Sequence, residues 1–62
     1  MNKFEMKGLE IEVLQGVYED IERRIGWEMT EDENGKEIPY NERAEVKVKI
    51  LRELQAVLEK RL

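Results

Sequence analysis

Sixty-two residues limit this chain to one domain, and a domain so short buries only about 60% of its unfolded surface, so a metal, disulfides or oligomerisation usually supports it. It contains no Cys and no His, which removes disulfides, thiolate chemistry and the commonest metal ligand and general base, and leaves oligomerisation as the expected support. Charged residues are 42% of the chain and the net charge is −4, unevenly spread: residues 1–38 hold eleven acids and five bases, residues 39–62 four acids and six bases. An acidic front and a mildly basic rear attract each other, within one chain or between two, beyond simply solvating the surface.

Residues 1–7 are expected to be flexible; Phe4 and Met6 alternate with charges, which suits a short strand or a tail laid on the fold. Lys3 and Lys7 precede an apolar stretch that Glu10 and Glu12 interrupt, so no signal-peptide core forms. No run approaches the roughly 20 apolar residues of a membrane span. The expectation is a soluble, cytoplasmic protein that does not use a membrane.

The spacing predicts a first helix over 8–26. Ile11, Leu14, Tyr18, Ile21 and Ile25 step by three and four, with Phe4 continuing the series. Glu10 and Glu12 near its start and Arg23 and Arg24 near its end suit the helix dipole. Glu19–Arg23 and Asp20–Arg24 are i,i+4 pairs, and Gly26 fits the C′ position. Against the helix stand the strand-like alternation Leu9-Glu10-Ile11-Glu12-Val13 and the interior Gly16, which costs about 1 kcal/mol relative to Ala. A matching alternation, Val46-Lys47-Val48-Lys49-Ile50, raises a rival arrangement of two paired strands. Both runs pass into helical spacing with no Pro or turn signal between, which favours helices and lets Gly16 mark a close helix–helix approach.

Residues 27–40 form an acidic linker centred on Asn34-Gly35, the strongest short hairpin signal. A two-residue type I′ loop there sets Glu33 against Lys36, Glu31 against Ile38, Thr30 against Pro39 and Met29 against Tyr40, and puts Trp27, Met29, Ile38 and Tyr40 on one face. The alternative is an irregular loop. The second helix is predicted over 41–62, with Asn41 as N-cap, Glu42 and Glu45 in its first turns and Lys60 and Arg61 in its last. Glu45–Lys49 and Lys49–Glu53 tie its outer face, and Ala44, Val48, Leu51, Leu58 and Leu62 form its stripe, widened by Val46, Ile50, Leu54 and Val57. Gln55 falls within the stripe, either at a wet flank or as a register-setting polar residue between subunits.

Catalysis has almost no raw material: no Ser, Cys or His, and Thr30 as the single Thr. Paired carboxylates need an apolar pocket to separate their pKa values, and a chain this small offers little depth for one. With Gly35 as sixth residue of a calcium loop, Thr30, Asp32 and Asn34 take positions one, three and five, but Asn41 stands where a bidentate Glu is required. Basic residues of the second helix alternate with Glu42, Glu45, Glu53 and Glu59, so the field opposes direct nucleic-acid binding. No catalytic residue, cofactor, metal or small-molecule substrate is expected.

Protein recognition remains. Trp27 and Tyr40, within a rim of Glu28, Glu31, Asp32, Glu33 and Glu37, form the candidate partner-binding set for a surface that is itself basic; alternatively the two aromatics cap the end of the core. The overall expectation is all-α: a single-domain, two-helix antiparallel hairpin, pairing as a homodimeric four-helix bundle through Leu14, Tyr18, Ile21, Ile25, Leu51, Leu54, Leu58 and Leu62. Its function reads as a dimeric adaptor or inhibitor, with an acidic nucleic-acid mimic and a purely structural oligomerisation module as alternatives. In size and composition the chain resembles the very small, Cys-free, charged helical-hairpin proteins that phages and other mobile elements encode.

Overall fold

The structure, a computed structural model, describes residues 7–62. Two helices, α1 (Lys7–Trp27) and α2 (Glu42–Glu59), are joined by a two-stranded antiparallel hairpin, β1 (Met29–Glu31) and β2 (Glu37–Pro39). The readings that fall on residues 1–6, including Phe4 and Met6, lie outside the described residues. Lys7, expected in a flexible segment, is the first residue of α1.

Both alternating runs are helical, which removes the paired-strand rival. Two-residue alternation extends over only five residues in each, whereas the helical spacing continues for several turns and wins. Leu14, Tyr18, Ile21 and Ile25 turn toward α2, where Ala44, Val48, Leu51, Gln55 and Leu58 meet them. Ile21, Ile25 and Ala44 are the buried apolar residues among those described; Ile25 is 2% exposed. Leu54 and Leu62, expected in this seam, are about half exposed. At about 100° per residue Leu54 falls off the Ala44–Leu51–Leu58 line, and the residue beside it, Gln55, takes the inward position. Leu62 lies beyond α2, which ends at Glu59 and not Leu62; the amides of Arg61 and Leu62 turn back onto the Leu58 carbonyl in a tightened last turn.

Gly26 is not the C′ residue. α1 continues through it to Trp27, and the Glu28 amide donates to the Ile25 carbonyl at 3.0 Å. Strand pairing begins immediately, because the Tyr40 amide donates to the Glu28 carbonyl, so the chain leaves the helix without a left-handed residue. Gly16 marks no close approach either: a Cβ there would meet nothing within 4 Å. The anticipated i,i+4 pairs do not form among the described residues; Arg23 pairs with Asp20 instead, one turn back at i,i+3.

The hairpin exists, but with a three-residue loop and a register one residue away from that of a type I′ turn. Met29 faces Pro39, Thr30 faces Ile38 and Glu31 faces Glu37. The cause is Asp32, whose carboxylate accepts from the amides of Asn34 (2.8 Å) and Lys36 (2.9 Å). Its own carbonyl accepts from the Gly35 amide, which closes a turn, and its amide donates to Lys36. Such an Asx arrangement favours a type I turn followed by one left-handed residue; Gly35 supplies that at φ 80° while Asn34 stays at negative φ. Bonded pairs alternate along the ladder, so Pro39 occupies a non-hydrogen-bonded site where its missing N–H costs little.

Asn41 caps α2 as expected, its side chain accepting from the Ala44 amide at 2.7 Å. Gln55, 4% exposed, replaces what would have been apolar packing with a satisfied polar contact. Its Nε2 donates to Glu22 Oε1 at 2.8 Å and reaches the Tyr18 carbonyl at 3.5 Å, while its Oε1 accepts from Arg52 Nη1 at 3.3 Å. Arg52 also lies 3.5 Å from Glu22. The residue therefore sets the register of α2 against α1 within one chain.

Two glycine substitutions test these backbone assignments by urea denaturation followed by circular dichroism. Gly16→Ala, in an unobstructed helix interior, is expected to stabilise by about 1 kcal/mol. Gly35→Ala, at positive φ, is expected to destabilise by about 1 kcal/mol.

Candidate functional site

Two surfaces of the hairpin present chemistry that the fold does not itself use: the tip and one long face. At the tip, Trp27 ends α1 and Tyr40 follows β2, 66% and 53% exposed. They do not close the core, contrary to the capping alternative; both side chains stand in solvent. The Tyr40 hydroxyl donates to Glu28 Oε1 at 3.3 Å, and Lys47 Nζ lies 3.7 Å from Glu28 Oε2.

The acidic rim divides by role. Glu28 is a tie between the tip and α2, and the Asp32 carboxylate holds the loop. Glu31, Glu33 and Glu37 are exposed. Glu31 and Glu37 face each other across the strands at a non-hydrogen-bonded pair, the closer of the two cross-strand geometries, where like charges repel. Of the expected partner-binding set, Trp27, Glu31, Glu33 and Tyr40 are thus presented outward, and Glu28 and Asp32 are engaged internally.

The long face was not separable from the core in the sequence. Arg24 of α1 and Ile50 of α2 line one open cleft of about 260 Å³ together with Glu28, Lys47 and Leu51. Val13 and Val17 share a ridge with Arg24, and Leu54 and Val57 share one with Ile50, so both ridges flank this same side. Val13, Val17, Ile50, Leu54 and Val57 are each between 41% and 56% exposed. Glu22 and Arg52 stand two residues from Arg24 and Ile50, about 200° round their helices, and so mark the opposite, polar side. The signal that would have found the face is the width of the α2 stripe, too broad for one neighbouring helix.

Of the expected dimer-contact residues, Leu14, Tyr18, Ile21, Ile25, Leu51 and Leu58 lie along the seam within one chain, and Leu54 belongs to the exposed face. The cleft is smaller than the roughly 300–1,000 Å³ of typical ligand pockets. Among the described residues no cluster of three or more acidic side chains is disposed to hold a metal, and no helix is long and apolar enough to cross a membrane.

On the polar side the Tyr18 hydroxyl donates to Glu59 Oε2 at 2.9 Å. This hydrogen bond, then partial burial, then the negative charges of Glu59 and Glu22, raise the Tyr18 pKa above its ordinary value of 10.0; Arg52 opposes them. The folded state therefore holds this proton more tightly than the unfolded one. The contact contributes stability below pH 10, and that contribution disappears as pH rises through the raised value. Absorbance titration of a Tyr40→Phe variant should place the remaining tyrosine midpoint above 10, and adding Glu59→Gln should lower it.

No protein-family model matches the chain, and no curated protein or solved structure is significantly similar to it.

Proposed function

We propose that the chain is a non-catalytic protein-binding module, an adaptor or inhibitor, that works as a homodimer in which two hairpins pack into a four-helix bundle and present their tips to a client. The observation that carries this reading is the half-exposed apolar face. Each of its five aliphatic side chains leaves on the order of 1 kcal/mol of burial unrealised. A chain of this size has a total stability of only about 3–9 kcal/mol. Covering that face therefore contributes as much as the fold retains alone, and a second copy supplies an equivalent apolar face. The chain's lack of Ser, Cys and His, together with the shallow cleft, supports a role without chemistry.

The tip supplies the client contact. Exposed Trp and Tyr side chains are common binding anchors, and the exposed Glu31, Glu33 and Glu37 beside them suit a basic surface. The unrelieved Glu31–Glu37 pair favours a second version of this reading, in which the acids imitate a nucleic-acid backbone and dominate affinity.

Sedimentation tests the dimer. The wild-type chain should be dimeric at micromolar concentration, and Leu54→Glu should convert it to a helical monomer; a wild-type monomer that keeps full helicity at those concentrations refutes the assembly. For an adaptor anchored by the aromatics, Trp27→Ala should weaken binding of a purified client by roughly 30-fold or more, with little salt dependence. For the mimic, binding should fall steeply with salt and be abolished by Glu31→Lys, Glu33→Lys and Glu37→Lys together. Asp32 is left intact in that variant because its carboxylate holds the loop.

A further inference from the structure

A second copy can close the apolar face in two symmetric ways: with the tips side by side, or with the copies running in opposite directions. The distribution of charge discriminates between them. Residues 28–37, which form the tip, hold five acids and one base, a net −4 that equals the net charge of the entire chain. The other residues carry ten acids and ten bases. Side-by-side packing places two such tips next to each other at helix-packing distance, about 10 Å or roughly one Debye length, where like charges still repel. It also gathers Arg24 and Lys47, both on the cleft at the tip end of the apolar face, against their own copies. Running the copies in opposite directions separates the acidic tips by the length of the bundle. Each tip then lies toward the other copy's open end, where Glu10, Glu12 and Glu59 are balanced by Lys7, Lys60 and Arg61, so it no longer meets a like-charged surface.

We infer that a second, inverted copy of this chain covers the face formed by Val13, Val17, Ile50, Leu54 and Val57, with the two-fold axis crossing near Leu54. This rests on the dimer proposed above. An axis at Leu54 stacks Ile50 of each copy against the Val57–Leu58 turn of the other and leaves both Trp27–Tyr40 surfaces facing outward. The assembly is then bivalent: it bridges two client molecules from opposite ends and cannot clamp one between adjacent tips.

Because the chain has no native Cys, Asn34→Cys gives a single, charge-neutral labelling position at the exposed loop. Nitroxide labels there, read by pulsed dipolar spectroscopy, should report a separation of about 70 Å in the dimer, from the helical and strand rises on either side of Leu54. A separation below about 30 Å in a sample that sediments as a dimer overturns the inverted arrangement and leaves the dimer standing. A sample that sediments as a monomer at micromolar concentration overturns both.

Discussion

Two helices laid side by side share one seam, and one seam covers only a sector about 100° wide on each. Everything else in this protein follows from how that narrow seam is filled. Along it Ile21, Ile25 and Ala44 are buried, and Gln55 joins them as a polar residue. The apolar contact is thus slight, and its alignment is fixed by directed bonds: Gln55 to Glu22 and the Tyr18 carbonyl, Arg52 to Glu22, and Tyr18 to Glu59. Of these groups only the Gln55 amide is buried, and removing its partners leaves it unsatisfied, so that contact specifies one register, while the exposed Arg52–Glu22 and Tyr18–Glu59 contacts add little.

The polar clasp and the apolar face are two sides of one arrangement. The Gln55–Glu22–Arg52 and Tyr18–Glu59 contacts occupy one flank of the seam, and Val13, Val17, Ile50, Leu54 and Val57 lie on the other. A helix pair with both flanks polar would be complete as it stands. This one has an asymmetric cross-section, and the proposed dimer is the response to that asymmetry. The strand hairpin has a different task. It reverses the chain in a short span, holds Glu28 where Lys47 and Tyr40 reach it, and holds the tip's acids away from the helices.

Helix positions and the Asn41 cap were legible in the chain itself, since each depends on spacing or on a side chain bonding its own neighbours, while Asn34-Gly35 signalled a hairpin and left an irregular loop open. The exact register of the strands was not legible. A two-residue loop and a three-residue loop both fit Asn34-Gly35, and the choice belongs to the Asp32 carboxylate, which captures two amides downstream. The same substitution of one local bond for another explains why Asp32 leaves the candidate binding set.

What the sequence determined alone is two helices joined by an acidic linker, the exclusion of Cys and His chemistry, and a broad apolar stripe on the second helix. Periodicity and composition are properties of the chain, so they survive any arrangement of it. Tertiary structure alone decided which half of that stripe faces α1: Gln55 turned inward where Leu54 had the stronger hydrophobic claim. The physical reason is partner geometry. A helix face is chosen by what stands opposite, and here Glu22 and the Tyr18 carbonyl stand opposite with the bonds Gln55 can complete.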